Sequence, residues 1–317
     1  MGLKYLAQTT SVLAVALFAS TSVMAQATNT QNNNQQNRAN VSSDINAIVN
    51  SVTEDVTAAA IAIGNSFSAQ LTGDTNLTNF QRNRQNVTSD LNLDINDAVG
   101  VLSARSAAQA NVFSLNIVDG ENSTGGSQQW ANHWRDVHAS MTINAGDIMG
   151  VDGVASEVTV AAIANSLSVE AQGNLNFRNF QVFRGDSRST LDATFQEIVG
   201  DISTTSAAIA NSASFDVSDA ANVNIRNVQR SGYDPTALTT LSVNNLEGAL
   251  NSRTVAQANT LNVSTLPGLA TLNVNNAQGN EALVVAHSFV DIGNVTGSVD
   301  ISAAAIANSA NITNILR

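Results

Sequence analysis

The residues in this chain best suited to bind or act on a ligand are few and unevenly placed. His133 and His138 flank Asp136 beside Trp130 and Trp134, in the segment WANHWRDVH, and His287 stands alone. Imidazoles take metals and indoles stack on sugar rings, but histidines five apart have no established ligand geometry, so the spacing favours a local insertion with surface aromatics. The sequence has no glycine-rich phosphate loop, G-x-S-x-G elbow, HExxH or EF-hand pattern, and no calcium-binding β-roll nonapeptide. Asp90, Asp94 and Asp97 alternate with apolar residues, which suits exposed strand carboxylates better than a cation cage. With no cysteine there is no disulfide framework, thiolate zinc site, iron–sulfur cluster or thiol nucleophile. We therefore expect no catalytic residues, no cofactor and no metal, and no enzyme.

Charge is the more suggestive chemistry. The net charge is −12 and the pI near 4.4, an unfavourable balance for a nucleic-acid binder. Carboxylates and arginines nevertheless collect in different parts of a repeating pattern. Acids gather at Asp44, Glu54 and Asp55, at Asp90, Asp94 and Asp97, at Asp147, Asp152 and Glu157, at Asp192, Glu197 and Asp201, and at Asp291 and Asp300. Arginines gather at Arg82 and Arg84, Arg135, Arg178, Arg184 and Arg188, and Arg226 and Arg230. Stacked copies would turn these into an acidic and a basic stripe. Such stripes are either solvated faces that prevent wrong association, or a guanidinium track for an anionic polysaccharide or a neighbour's acidic stripe. Arg82, Arg84, Arg178, Arg184, Arg226 and Arg230, with Trp130 and Trp134, are the candidate contacts.

The pattern that groups them is a repeat of about 49 residues with three marks per copy. An Ala-rich segment carries a central asparagine at Asn65, Asn111, Asn165, Asn211, Asn259 and Asn308, with separations of 46, 54, 46, 48 and 49. An acidic and aliphatic stretch precedes it and closes on Gly100, Gly150, Gly200, Gly248 or Gly293. An Asn–apolar–Gln triplet follows at Asn79–Phe80–Gln81, Asn179–Phe180–Gln181, Asn227–Val228–Gln229 and Asn276–Ala277–Gln278, with Asn132–His133–Trp134 the nearest match in the second copy. The last copy stops after its second mark, as a terminal cap would.

Strict alternation makes the Ala-rich segment a strand. One face shows Ala161, Ile163, Asn165, Leu167 and Val169, the other Ala162, Ala164, Ser166 and Ser168. A helix is the competing reading of AAAIA, but the Asn-Ser-x-Ser continuation supplies poor helix formers. The fold class expected is all-β, a β-solenoid of six stacked copies. Its inward asparagines would then form a structural ladder of side-chain amides. The flat Ala/Ser face is either an internal sheet contact or a surface between molecules.

Residues 1–25 read as a signal peptide: Lys4, the apolar run SVLAVALFAS, and small residues at Val23 and Ala25 before cleavage. The apolar run is about half the ~20 residues that span a bilayer, so no transmembrane segment is expected in the mature chain. Residues 26–40 form an Asn/Gln-rich tract expected to be disordered, either a flexible leader or a segment for a secretion or anchoring partner. The repeat domain is expected over 41–317, on a secreted or cell-surface protein.

The segments Gln109–Ala110–Asn111, Gln257–Ala258–Asn259, Gln172–Gly173–Asn174 and Gln278–Gly279–Asn280 resemble the Gln/Asn-bearing repeats of curlin-type matrix fibre subunits. So do the lysine-poor, Asn-rich composition and the leader. The copy of about 49 residues is longer than the curlin unit, and the Ala-Ala-Ile-Ala core is a departure. The resemblance implies an exported cross-β protein that self-associates into surface fibres or adhesive layers. Residues alone favour that structural role; the alternative is a non-catalytic β-helix that binds an anionic polysaccharide.

Overall fold

Runs of 8 to 17 residues with period-two alternation, separated by short Gly-, Asn- and Asp-containing corners, make strands the only regular elements among the described residues. The structure, a computed structural model, describes residues 29–131, 136–150, 154–266 and 271–314. The leader expected over residues 1–25 lies outside them. The first coil consists of β1 (Asn29–Asn37), β2 (Val41–Val49) and β3 (Val56–Thr72), the second of β4 (Thr75–Asn83), β5 (Val87–Val99) and β6 (Leu102–Val118), and the third of β7 (Asn122–Ala131), β8 (Val137–Met149) and β9 (Ser156–Gln172). The fourth has β10 (Asn174–Phe183), β11 (Ser187–Val199) and β12 (Ile202–Ser218), the fifth β13 (Asn222–Ser231), β14 (Pro235–Glu247) and β15 (Leu250–Thr265), the sixth β16 (Thr271–Asn280), β17 (Val285–Ile292) and β18 (Val299–Asn314).

Each strand pairs in parallel with its equivalent one coil away, which builds three six-stranded sheets. Sheet 1 holds β1, β4, β7, β10, β13 and β16; sheet 2 holds β2, β5, β8, β11, β14 and β17; sheet 3 holds β3, β6, β9, β12, β15 and β18. The fold is a β-solenoid with one coil per copy and a rise of ~4.8 Å between coils.

Residues 29–37 correct the expectation of disorder up to residue 40. The polar run NTQNNNQQN forms β1 because the edge of β4 supplies its backbone partners, while Asn33 and Asn37 donate their amides to Asn79 Oδ1 (2.6 Å) and Asn83 Oδ1 (2.7 Å). Tertiary pairing outweighs a composition that has little to bury. The phase of the repeat shifts accordingly: the triplet missing after β18 stands at the start, at Asn33–Asn34–Gln35, so six whole coils replace five and a truncated sixth.

The strand reading of the Ala-rich segment holds, but its face assignment needs correction. Asn165, Leu167 and Val169 point inward; before them the parity reverses, with Ala162 and Ala164 inside and Ala161 and Ile163 outside. Two consecutive buried residues, Ala164 and Asn165, mark a corner within β9, and β6, β12 and β15 bend at the equivalent place. The expected flat Ala/Ser face is thereby divided, its alanines inside and its serines outside.

The bend gives sheet 3 two inner faces and the solenoid two apolar cores. One packs Leu91, Ile143, Phe195 and Leu241 of sheet 2 against the small residues Ala62, Ala108, Ala162 and Ala210. The other packs Leu77, Phe177 and Ile225 of sheet 1 against Phe113, Leu167, Phe215 and Leu261 of sheet 3, with Phe177 set edge-on to Phe215 at 5.6 Å. Corners demand special residues. Gly173 has φ +91°, in a column with Gly73, Asp119 and Asp219, all at positive φ. At Gly150 a Cβ would lie 2.3 Å from the Val199 carbonyl oxygen of the next coil, which explains a mark closing on glycine.

Candidate functional site

The wall between the two cores is polar. Asn65 Nδ2 donates to Asn111 Oδ1 at 2.8 Å, and Asn111, Asn165, Asn211 and Asn259 each pass the same bond to the next, ending at Asn308. Stacking at ~4.8 Å brings identical amides within hydrogen-bond reach, and each bond satisfies a group that burial would otherwise leave bare. Asn111, Asn165, Asn211 and Asn259 are fully buried.

A second ladder was not anticipated as such. Gln35, Gln81, Gln129, Gln181, Gln229 and Gln278 of sheet 1 stack beside the asparagines, and from Gln81 onward each Nε2 donates to the Oε1 of the preceding coil at 2.7 to 3.0 Å. The signal was present in the sequence as the glutamine of each triplet. In the third coil the register pairs Gln81 with Gln129, so the triplet there is Ser127–Gln128–Gln129 and not Asn132–His133–Trp134, which falls outside the described residues.

The two ladders brace each other. Gln81, Gln181, Gln229 and Gln278 donate their second N–H to the carbonyls of Val112, Ser212, Thr260 and Ser309, each one residue beyond a ladder asparagine. Asn165, Asn211 and Asn259 return a bond to the carbonyls of Val182, Arg230 and Gly279, each one residue beyond a ladder glutamine. The ladders also run in opposite senses. Asparagines donate toward the C-terminal coil, glutamines toward the N-terminal coil.

Opposite polarity decides what the two ends present. At the C-terminal coil, among the described residues, the Asn308 and Asn276 side-chain N–H groups have no acceptor beyond them, and Gln278 Oε1 has no donor. At the N-terminal coil, among the described residues, no donor reaches the Oδ1 atoms of Asn65 and Asn33, and Gln35 has an N–H besides the one that it gives Ser66 O. Inward-pointing Val299, Ile301 and Ile312 of β18 are 45%, 41% and 46% exposed, where Leu250 and Val263 of the coil beneath are closed.

The outer face of sheet 1 carries the arginine candidates. None of its six strands contains an aspartate or glutamate, although the chain has 25. Arg178 and Arg226 are register partners in one column, continued by Gly126 and Thr78. The adjacent outward column holds Phe80, Gln128, Phe180 and Val228, and the next holds Arg82, Trp130, Val182 and Arg230. Trp130 packs on Phe180 with ring centroids 5.2 Å apart, making a low aromatic ridge. Arg84 and Arg184 stand in the corner after sheet 1. Arg82, burial and Arg38 hold the Arg84 guanidinium below its ordinary range. Trp134 lies outside the described residues.

The acidic groups do not form one stripe. Asp44 and Asp90 share a column of sheet 2 that continues into Ser140, and Asp97 and Asp147 share another. A further column, at the entry to sheet 2, contains Asp136, Asp186 and Asp234. Burial first, then the charge of Asp136, raises the Asp186 carboxyl above its usual range. His138 and His287 sit on different columns of sheet 2, His138 between Thr88 and Arg188 and His287 beside Leu238. Burial lowers His138 from its ordinary value, Asp90 opposes that and Arg188 adds to it.

Residues 50–316, well over half the chain, match the family described as HfaD, Holdfast attachment protein D. The match takes in every strand from β3 onward. No curated protein and no solved structure matches the chain.

Proposed function

The chain belongs to the holdfast attachment protein D family, which gives it a structural, adhesive role at the cell surface, and from that premise we propose that it is a subunit that stacks on copies of itself into a surface fibre or matrix. The observation that carries the reading is the complementarity of the two ends. Continuing the register by one coil sets Asn308 and Asn276 of one copy to donate to Asn65 and Asn33 of the next, while the next copy's Gln35 donates to Gln278. Strand lengths agree as well: 10, 8 and 16 residues at β16, β17 and β18 meet 9, 9 and 17 at β1, β2 and β3. The same translation places His287 opposite Asp44 and Ala310 opposite Phe67, an imidazole against a carboxylate and a small residue against a large one.

Such a head-to-tail contact is heterologous and does not close, so it propagates as a filament. Each junction adds backbone ladder bonds from three strands, side-chain amide bonds in three columns and cover for the half-open apolar residues of β18. Export through the leader would deliver the subunit to the surface.

Electron microscopy and sedimentation of the purified chain at micromolar concentration test this. Ordered filaments are expected, with a ~4.8 Å repeat along the axis. Asn308→Asp keeps the oxygen that accepts from Asn259 but sets a carboxylate against the neighbour's Asn65 oxygen, so it should remain monomeric with unchanged circular dichroism. Wild-type protein that stays a monomer over days, or an Asn308→Asp variant that assembles equally well, would sink the proposal.

A further inference from the structure

We infer that the outer face of sheet 1 is a binding groove for an anionic polysaccharide, which lies along the solenoid axis with its acid groups on Arg178 and Arg226 and its rings against Phe80 and Phe180. The inference goes beyond self-stacking and holds whether the protein is a monomer or a filament.

Three observations converge on it. The first is charge. On a chain of net −12, one sheet of three is free of carboxylates on all its strands and carries Arg82, Arg178, Arg226 and Arg230. Arg178 and Arg226 are exposed register partners on strands ~4.8 Å apart, so two guanidiniums leave the same outer face from successive coils. Carboxylates or sulfates on an extended glycan, about one pyranose ring per coil at that ~4.8 Å rise, would meet each fork in turn.

The second is shape. The face has a concavity of about 550 Å³ bordered by Thr78, Phe80, Gly126, Arg178, Phe180 and Arg226. Gly126 makes its floor. Its absent side chain breaks the column between Thr78 and Arg178, and a Cβ there would meet nothing closer than 3.4 Å. Gly125, the residue before it, points inward, where the Phe177 ring leaves no room for a side chain: a Cβ would lie 2.8 Å from it. The two glycines thus serve opposite sides of one strand, and only the inner one is demanded by packing.

The third is the chemistry of the flanking columns. Thr30, Asn76, Thr124, Asn176, Asn224 and Asn273 stand in register along the outermost column, a row of short donors and acceptors suited to sugar hydroxyls. Half-buried Phe80 and Phe180, with Trp130 stacked on the latter, present a low apolar ridge on which a pyranose can rest. A neighbour's acidic stripe would use the guanidiniums and leave the ridge and the amide column idle, and nucleobases need aromatic planes that stand clear of the sheet.

The test titrates the full chain with oligogalacturonate, alginate oligomers and chondroitin sulfate, and with methyl-esterified oligogalacturonate as the same backbone without charge. Calorimetry and Trp fluorescence are the readouts. At least one anionic probe should bind saturably and more tightly than the ester, with affinity that falls as salt rises. Arg178→Ala/Arg226→Ala should weaken binding by about tenfold per guanidinium removed, while Arg253→Ala on the outer face of sheet 3 should leave it unchanged. Because all three side chains are exposed, circular dichroism should be unaltered in each variant. Failure of all three anionic probes, equal binding by the double variant, or tighter binding of oligothymidylate or of a second copy's acidic face would overturn the assignment.

Discussion

Replacing Asn165 by alanine should be among the most costly single truncations in the molecule. Its amide makes three bonds: Asn111 Nδ2 reaches its Oδ1 at 2.8 Å, and its own Nδ2 gives 2.8 Å to Asn211 Oδ1 and 3.1 Å to the Val182 carbonyl. The site is closed to solvent. Asn165→Ala therefore strands one donor and two acceptors. At about 1 to 3 kcal/mol for each of the three buried groups left without a partner, the cost is of order 3 to 9 kcal/mol. Asn308→Ala is the matched control, since it removes the same side chain from an exposed position where only the 2.7 Å bond from Asn259 is lost. Asn259 still holds Gly279 O and water can replace the missing acceptor, so that cost should stay below about 1 kcal/mol. Urea titration by circular dichroism, with both variants kept monomeric and slopes compared, measures the difference. Amide exchange should show the loss of protection centred on β6, β9 and β12, because stacked repeats couple to their neighbours. If Asn165→Ala falls within 1 kcal/mol of Asn308→Ala, the ladder is ornamental and the reasoning fails.

Two further outcomes can be checked alongside the assembly and glycan experiments. Gly173→Ala combines φ +91° with a Cβ only 1.6 Å from the Gly120 carbonyl oxygen, so it should cost more than about 3 kcal/mol and appear as a depressed Tm or loss of folded protein. Asp186 holds its proton more tightly in the folded chain than in the unfolded one, so its ionisation weakens the fold as pH rises through the raised value. Asp186→Asn, which puts at this corner the residue found at Asn40 and Asn86, should stabilise the protein at pH 7 by a few tenths of a kcal/mol after solvent screening. That gain should shrink as pH falls through the raised range and vanish below the ordinary value near 3.8, as read by Tm against pH.

What the sequence determined by itself is what repetition determines. A parallel stack places each residue over its counterpart one copy away, so the period near 49 and the recurring central asparagine suffice to predict stacked amides without knowledge of the corners. Lack of cysteine and the sorting of arginines away from carboxylates were likewise readable, because composition and linear order need no third dimension. Facing was decided only by the tertiary structure. Alternation tells which residues share a face, but Ala164 and Asn165 are buried in succession because β9 folds over two cores, and that reverses inside and outside for Ile163 and every residue before it. The same holds for β1, whose polar amides gain order only from the edge of β4, and for Gln129, whose place in the glutamine ladder depends on a register that local matching put several residues away. Side-chain identity fixes the bonds a residue can make; the corners, which arise where two cores compete for one strand, decide which of them it makes.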